Sequence, residues 1–467
     1  MPVVAGVGLV AVWLLSGPLL GLGFVQVLLL GVLLLASFQT LLLRRSPRSL
    51  LTRDSASFAH GWVGKLLVAA VLIGIPATMV LLSVSGGRYG HYEDDSWKAL
   101  LMLVVLAGAY LASRRLVLTV LIGAVTVGVV AALASPNLAT DRNGNPTVLA
   151  HLDRQSSRGT LAGYQNVAVA EVNLDGAQPV QLAGIGADDT TPMEVGSVTK
   201  AMTGLVIADA VRRGEIRMDA PVATYLPQLA GSPAGAVTMH ELVTHTSGYD
   251  EFGTATLRRG AWKAPLGQNF FTAGMNQMTE ETRDQALSGR GSYAYSTLGS
   301  AVAGQAVAAA ANMSYPDLMR TRLFEPIGMS HTAIQVDQAL VTGGRSRTGL
   351  PVQPWVMDAD AYSPGAAAVS TTGDLAKLAT ALLEGTAPGM AALEPTTATD
   401  TSNKRIGNFW WTSTWGTGQT ITHHAGQTSG YAAYLGLDRA GRKAVIVLGD
   451  VGNDARELGS QMLADRK

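Results

Sequence analysis

The sequence predicts an α-helical transmembrane bundle followed by an α+β domain. Residues 1–135 of the 467-residue chain hold four long apolar runs, separated by short charged loops. In the remainder, short strand-like segments lie near both ends and helical patterns lie between them. Strands and helices arranged in this way are typical of a layered α+β domain. We therefore divide the chain into a transmembrane region (1–135), a linker rich in Pro, Asn, Asp and Gly (136–150) and a domain (151–467).

The transmembrane region is expected to contain about five spans. Residues 3–43 are almost entirely apolar, and one span needs only about 20 residues. This run is therefore too long for one helix, and its glycine and proline residues indicate a helical hairpin. Further spans are predicted at 66–84, 99–113 and 116–135. Because the run 99–113 is short, four spans are the alternative.

Basic residues in the predicted loops set the orientation of the chain. They crowd the loop 44–65 and recur at Arg114 and Arg115, whereas residues 93–95 between them are acidic. Basic loops face the cytoplasm, so the N-terminus is expected inside and the domain outside the cell membrane. A cleaved signal peptide is not expected, because no Lys or Arg precedes Arg44. The spans hold no charged residue that would mark an ion path, so we interpret the region as an anchor.

Charge and cysteine content exclude several functional classes. Residues 1–135 hold 9 Lys and Arg against 4 Asp and Glu, and the remainder holds 25 against 30. The domain is therefore mildly acidic, and it has no basic run with interleaved aromatic residues, so no nucleic-acid partner is expected. The chain has no cysteine, which excludes disulfides and thiolate chemistry.

The ends of the domain are predicted to form strands. Apolar segments at 167–172 and 180–182 are joined by Asn-Leu-Asp-Gly, which predicts a hairpin. Two more strands are predicted at 432–437 and 444–448. A helix at 453–465 closes the domain.

Ser197 and Lys200 are predicted to form a nucleophile with its own base. They begin a helical pattern that runs to Arg213, where Gly214 can end the helix. Residues three apart share one helix face, so the Lys200 amine is expected beside the Ser197 hydroxyl, where it can take the hydroxyl proton. Burial and the positive end of the helix both disfavour the charged form of this lysine.

Four further motifs follow in order along the chain. They are Leu-Val-Thr-His-Thr-Ser-Gly at 242–248, Tyr-Ser-Thr at 295–297, Phe-Glu-Pro-Ile-Gly-Met at 324–329, and His-Ala-Gly at 424–426 with Gly-Tyr at 430–431. With Ser197 and Lys200, the series resembles the serine β-lactamase and penicillin-binding-protein superfamily, in its class C β-lactamase-like branch. The resemblance begins near residue 161. It implies a β-lactamase/DD-peptidase-like fold, in which an antiparallel sheet from both termini is flanked by helices and the site lies between the sheet and a helical insert.

The resemblance assigns a role in proton transfer to Tyr295. A tyrosine held near a cation loses its proton more easily, and in this branch the residue shuttles protons between nucleophile and leaving group. The family continues Tyr-Ser-Asn, whereas this chain has Thr297 at the third position. A carboxamide donates and accepts hydrogen bonds at once, but a threonine has a single hydroxyl. Thr297 is therefore expected to position amide substrates less well.

The resemblance also places His424 and Gly426 on a strand at the edge of the site, where many relatives carry Lys-Thr-Gly. Gly426 lets the backbone approach the substrate, and the N–H groups of Ser197 and Gln427 are expected to form an oxyanion hole. A histidine of ordinary pKa is mostly neutral at pH 7. His424 is therefore expected to hold a substrate carboxylate less firmly than lysine would.

Together these residues predict a membrane-anchored, extracytoplasmic serine hydrolase that acts through an acyl-enzyme on Ser197. Esters, D-amino-acid peptides such as cell-wall peptides, and β-lactams all suit the scaffold, with β-lactams the least favoured. The alternative is a catalytically idle, penicillin-binding-like sensor, which Thr297 favours. The resemblance implies neither a cofactor nor a metal. His240 and His245 are five residues apart, and on a helix that spacing turns them away from a common zinc ligand face, so no zinc site is expected there. The oligomeric state is left open.

Overall fold

The computed structural model describes residues 138–464, apart from 162, 347–350, 358–360, 416–417 and 453. The predicted spans and the loops between them lie outside the described residues. In the part of the chain that the structure describes, no helix combines the length and apolar character needed to cross a bilayer.

A nine-stranded antiparallel sheet organises the domain. The strands described are β1 (Arg142–Gly144), β2 (Val167–Asn173), β3 (Val180–Ile185), β4 (Met193–Glu194), β5 (Ala333–Ile334), β6 (Ala368–Ser370), β7 (Thr397–Ala398), β8 (Lys404–Ile406), β9 (Trp411–Thr414), β10 (Thr420–Gln427), β11 (Ala432–Asp438) and β12 (Lys443–Gly449). The large sheet has the order β1-β3-β2-β12-β11-β10-β9-β8-β7, and β4-β6-β5 form a small second sheet. Val169 of β2 pairs with Val447 of β12, which confirms the predicted sheet built from both ends of the domain.

Helices pack on the sheet, and most of them lie in the sequence between its N-terminal and C-terminal strands. Those described are α1 (Pro146–Ser157), α2 (Val198–Arg212), α3 (Met239–Val243), α4 (Thr254–Lys263), α5 (Met275–Arg283), α6 (Thr297–Ala310), α7 (Tyr315–Met319), α8 (Glu325–Ile327), α9 (Ser363–Ala366), α10 (Thr372–Glu384) and α11 (Arg456–Ala464). A π-helical turn, Arg320–Phe324, joins α7 to α8. The segments from α2 to α9 contain most of these helices, as the predicted helical insert requires.

Both faces of the large sheet are buried. In β2, Ala168 and Ala170 belong to the core beneath α10, whereas Val167 and Val169 belong to a second core with α1 and α11. Successive residues of a strand point to opposite faces. Burial on both sides therefore explains why β2 is mostly apolar on both faces. Its buried Glu171 is hydrogen-bonded to His151.

Part of the stretch that we expected to be a linker is folded. Arg142–Gly144 pairs with β3, and the next residues form helix α1. The Asn145 side chain caps this helix by accepting hydrogen bonds from the backbone nitrogens of Thr147 and Val148. Asparagine before a helix and proline in its first turn are helix-start signals, and the same residue types enrich linkers.

Helix α2 carries the predicted nucleophile and is deeply buried. Every residue from Val198 to Ala210 is buried, as expected for a helix that is apolar around its whole circumference. The helix ends at Arg212, and Gly214 has a φ of 76°, close to the predicted end. It packs against α6, α9 and strand β10. Its N-terminus therefore lies between the sheet and the helical insert.

Candidate active site

The turn between β4 and α2 presents Ser197. This residue is the N-cap of α2, and its side chain makes no capping hydrogen bond. Gly196 before it has a φ of 48°, and a Cβ built on it would lie 2.8 Å from the backbone nitrogen of Gln427. Only glycine therefore allows the turn to approach β10 this closely, and the Ser197 hydroxyl is left available for chemistry.

Lys200 lies beside the Ser197 hydroxyl, where a base is needed. Its Nζ is 2.9 Å from Ser197 Oγ and 2.8 Å from the carbonyl oxygen of Gly365. The side chain is fully buried. This burial lowers the pKa of Lys200 to about 7, while the nearby Glu251 carboxylate limits the shift. Near neutral pH a large fraction of Lys200 is therefore a free amine that can accept the Ser197 proton.

Tyr295 contacts the same two groups. Its hydroxyl is within hydrogen-bonding reach of Ser197, and Lys200 Nζ lies 5.0 Å from the centre of its ring. The sequence suggests that a nearby cation lowers the pKa of Tyr295, and the structure shows the opposite direction. Burial raises this pKa, and the hydrogen bond with Ser197 offsets only part of the effect. Tyr295 is therefore a neutral hydroxyl that can donate or relay a proton, and it is not a standing phenolate.

Strand β10 brings Gly426 and Gln427 to the nucleophile. A Cβ built on Gly426 would lie 1.9 Å from the carbonyl oxygen of Val195 and 3.0 Å from the backbone nitrogen of Ser197. The strand therefore approaches the nucleophile turn as closely as only glycine permits. As a result, the Ser197 and Gln427 nitrogens lie on facing segments, which is the arrangement that an oxyanion hole requires.

A buried carboxylate, Glu194, connects the nucleophile turn to strand β10. It accepts hydrogen bonds from Thr428 Oγ1, from Gln335 Nε2 and from the backbone nitrogen of Trp355. Burial raises the pKa of Glu194, and these hydrogen bonds lower it in part. Glu194 ends β4 just before the nucleophile turn, and Thr428 follows β10 directly. The carboxylate therefore holds the two segments together, a role that the sequence did not reveal.

Thr297 is the first residue of α6 and is 5% exposed. A Cβ built on Gly365 would lie 2.9 Å from Thr297 Cγ2. The threonine methyl thus packs against the Gly365 peptide, whose carbonyl binds Lys200. The methyl group therefore lies against the peptide that holds the base, at the position where the family that the sequence resembles carries a carboxamide.

His424 is a neutral, buried side chain. Its Nδ1 lies 2.7 Å from the carbonyl oxygen of Ala425, so Nδ1 carries the proton, and its ring stacks on Trp411 with a centroid separation of 4.5 Å. Its Nε2 is buried with no hydrogen-bond partner in the described structure. Burial, assisted by Lys200, holds the pKa of His424 well below its usual range. The residue therefore supplies no positive charge, a larger departure from lysine than the sequence suggests.

His245 positions the tyrosine. It has a φ of 55°, and its Nδ1 accepts a hydrogen bond of 3.2 Å from the Ser296 backbone nitrogen. Its ring centre lies 4.6 Å from that of Tyr295. Burial lowers the pKa of His245 to about 3, so the ring is neutral. The His245 ring packs against the Tyr295 ring and helps to fix its position.

Glu251 is a site residue that the sequence did not indicate. Its carboxylate interacts electrostatically with both Lys200 and Tyr295. Burial raises the pKa of Glu251 to about 7, and Lys200 opposes this shift. A single glutamate in an irregular loop has no spacing or neighbour that marks it in the sequence. Only the fold brings it to the nucleophile.

The ionisation of Lys200 predicts a pH dependence. We expect kcat/KM for ester hydrolysis to rise with pH around an apparent pKa of about 7, because protonated Lys200 cannot accept the Ser197 proton. The apparent value belongs to the coupled Lys200 and Glu251 pair. Since Glu251 raises the pKa of Lys200, Glu251→Gln should move the acid limb to lower pH. Rate profiles of both proteins between about pH 5 and 9 measure the shift, and an unchanged midpoint would contradict this coupling.

Comparison with known protein sequences places this site in a family. A family model described as Beta-lactamase matches residues 150–458. A beta-lactamase of Escherichia coli (strain K12) is 29% identical over 192 residues, which cover 40% of this chain and 46% of that protein. Penicillin-binding protein 4 of Amycolatopsis lactamdurans is 30% identical over 160 residues, covering 34% of this chain and 40% of that protein. Esterase EstB of Burkholderia gladioli is 41% identical over 70 residues, covering 14% and 18%. The chain thus matches less than half the length of each of these three relatives.

Solved structures resemble the fold over a longer stretch. A class C beta-lactamase superposes with a TM-score of 0.56 at 17% identity, covering 69% of this chain and 96% of that one. A D-stereospecific amidohydrolase from Streptomyces sp. superposes with a TM-score of 0.56 at 18% identity, covering 68% and 97%. At these identities the likeness shows the fold. Because the family model matches more than half of the sequence, the chain belongs to the beta-lactamase family of serine hydrolases.

Proposed function

We propose that this protein hydrolyses esters through an acyl-enzyme on Ser197. The observation that carries the proposal is the pair of Ser197 Oγ and Lys200 Nζ, which lie 2.9 Å apart. Burial keeps the pKa of Lys200 at about 7, and a serine nucleophile needs such a base beside it. An idle sensor has no use for a buried amine in this position.

The geometry supports the following acylation step. Ser197 Oγ attacks the carbonyl carbon of the ester while its proton passes to Lys200 Nζ. The new C–O bond forms as the carbonyl electrons move onto oxygen, which accepts hydrogen bonds from the Ser197 and Gln427 N–H groups. The bond to the alcohol then breaks. The leaving oxygen takes a proton from Lys200, directly or through the neutral Tyr295 hydroxyl.

Deacylation reverses these proton movements with water as the nucleophile. A water molecule attacks the acyl carbon and gives its proton to Lys200 or, through the Tyr295 hydroxyl, to the same amine. The same oxyanion hole stabilises the second tetrahedral intermediate. Its collapse releases the carboxylic acid, and Ser197 Oγ recovers its proton. No group outside the described site is needed to balance either half-reaction.

The substrate class is inferred from two side chains. The relatives include a beta-lactamase, a penicillin-binding protein, an esterase and an amidohydrolase, so their names alone favour no single substrate. Thr297 lacks the carboxamide that would hold an amide carbonyl, and its methyl group packs on Gly365. Neutral His424 offers no cation for a carboxylate. Esters need neither group, since their carbonyl is reactive and the oxyanion hole provides most of the stabilisation.

This reasoning predicts a measurable preference. We expect kcat/KM for a short-chain chromogenic ester to exceed that for a chromogenic cephalosporin by at least about a hundredfold, on the order of 3 kcal/mol. Thr297→Asn restores a carboxamide and should narrow the gap, whereas Thr297→Val keeps the methyl group and should leave it unchanged. Side-by-side assays of the three proteins measure the ratio. Equal turnover of both substrates by the wild type would contradict the inferred preference.

We further propose that residues 1–135 anchor the domain to the outer face of the cell membrane. The apolar runs at 3–43, 66–84, 99–113 and 116–135 support this proposal, and the basic loop 44–65 supports the orientation. An outward-facing domain would have access to cell-wall peptides and to extracellular esters.

The orientation is tested with reporter fusions at three positions in residues 1–135. Fusions placed after Arg53 and after Ser135 should report opposite sides of the membrane, because the basic loop is retained in the cytoplasm. A third fusion after Asp95, in the acidic loop, should report the same side as the fusion after Ser135. Cytoplasmic activity of the Ser135 fusion would overturn the proposed topology and the access to cell-wall substrates.

A further inference from the structure

We propose that Glu251 forms a subsite for the ammonium group of the substrate, so that the preferred esters carry a free amino group in their acyl part. This inference rests on the proposed ester hydrolysis at Ser197 and names the class of acyl group that the site accepts. The site would then be selective for aminoacyl esters over esters whose amino group is blocked or absent.

The Glu251 carboxylate is placed for this role. It lies close enough to Lys200 and Tyr295 to act electrostatically on both, and its side chain is half-buried, so one part remains accessible. In the described structure its carboxylate has no hydrogen bond and no ion pair within 4 Å. Its neighbour Asp250 differs, because the Asp250 carboxyl is exposed and hydrogen-bonds to Gln285. In the described structure, the oxygen atoms of the Glu251 carboxylate are thus available to accept hydrogen bonds from a ligand.

The backbone around Glu251 is held in place at several points. The Glu251 carbonyl oxygen accepts hydrogen bonds of 3.0 and 2.9 Å from the Thr297 and Leu298 nitrogens. The Asp250 carbonyl accepts one from Ser296 Oγ at 2.7 Å, and the Gly253 nitrogen donates one to the Tyr362 hydroxyl at 2.9 Å. A carboxylate on a fixed backbone is pre-organised, so little conformational entropy is lost when a ligand binds.

The charges of the site favour a cation over an anion. His424 and His245 are neutral because burial lowers the pKa of both, and burial leaves Lys200 only partly charged at neutral pH. Burial raises the pKa of Glu251 to about 7 although Lys200 opposes the shift, so desolvation disfavours the negative charge of this carboxylate. A substrate ammonium would compensate it, since burying a charge is costly unless it is paired. A substrate carboxylate would be repelled, in agreement with the expected weakness towards β-lactams.

Glu251 has two alternative roles that do not involve recognition. It could act only through the pKa of Lys200, or it could accept a proton from the deacylating water. In either case its removal would change the hydrolysis of every ester by the same factor. A ratio of two substrates that differ only in the amino group cancels these effects and isolates recognition.

The test compares alanine ethyl ester with N-acetylalanine ethyl ester, in both enantiomers, at about pH 7.5 where the amine is still substantially protonated. The full-length wild type should prefer the free amine in kcat/KM. Glu251→Gln should reduce this preference by about tenfold, the typical effect of losing one charge-assisted hydrogen bond. Glu251→Asp, which retains the charge, should keep part of it. Asp250→Asn removes a neighbouring charge and should leave the preference within about twofold of the wild type.

Three results would overturn the proposal. One is a wild type with no preference for the free amine, which needs no variant and so does not depend on how Glu251→Gln folds. Another is an equal loss on both esters in Glu251→Gln, which would assign the residue to Lys200 or to water. The third is a change in Asp250→Asn as large as that in Glu251→Gln. If instead Ser197→Ala hydrolysed both esters at the wild-type rate, the proposed function itself would fail, and this inference with it.

Discussion

Replacing Ser197 by alanine is expected to lower kcat for ester hydrolysis by at least about four orders of magnitude. The substitution removes the oxygen that forms the covalent bond, and Lys200 keeps its hydrogen bond to the Gly365 carbonyl. The fold should therefore persist, because Ser197 makes no capping hydrogen bond. Steady-state kinetics on purified protein, with circular dichroism as the control for folding, measure the loss. Residual activity above about one per cent of the wild type would contradict the assigned nucleophile.

Replacing Lys200 by alanine is expected to lower the rate of acylation by about two to four orders of magnitude, the usual range for loss of a positioned base. The reason is that Lys200 Nζ lies 2.9 Å from Ser197 Oγ, whereas burial keeps the Tyr295 hydroxyl neutral and His424 makes its own backbone hydrogen bond. Pre-steady-state release of the chromogenic alcohol measures acylation directly.

Lys200→Met is the matched control for this prediction. Methionine has nearly the length of lysine but no amine, and Lys200 is fully buried. Methionine keeps most of the apolar volume of the lysine side chain, so it leaves a smaller cavity than alanine does. We therefore expect Lys200→Met to lose activity like the alanine variant while its Tm stays above that of Lys200→Ala. Near-wild-type acylation by either variant would show that Lys200 is not the base.

Local patterns account for the parts of the fold that the sequence predicts correctly. The apolar runs at 167–172 and 444–448 are strands β2 and β12, and they pair as the predicted sheet requires. The spacing of Ser197 and Lys200 predicts a contact because residues three apart share a helix face, and the structure places the two groups 2.9 Å apart. In both cases the information lies within one segment of the chain.

The start of the domain shows the limit of reasoning from composition. Asn145 and Pro146 are of residue types that are common in linkers. In the structure Asn145 caps helix α1 and Pro146 is its first residue. The distinction depends on Val148 and Leu152, which are buried against the sheet. The helix packs on β1, β2 and β3 and on helix α11, and composition alone does not reveal these contacts.

The electrostatics of the site also depend on long-range packing. Residue type suggests an easily ionised Tyr295 and a His424 of ordinary pKa. Burial instead raises the pKa of Tyr295 and lowers that of His424 well below its usual range. Glu251 reaches the site because its backbone is bound to the first turn of α6, about 46 residues later in the sequence. The pKa shifts arise from desolvation, and only the folded structure shows which side chains are desolvated.

The acyl-enzyme on Ser197 is tested most directly by intact-mass measurement after a brief incubation with a chromogenic ester. The wild type is expected to gain the mass of one acyl group, and Ser197→Ala is expected to gain none. Lys200→Met, which retains the nucleophile, should gain the acyl group more slowly than the wild type. An adduct of equal abundance on Ser197→Ala would contradict the account.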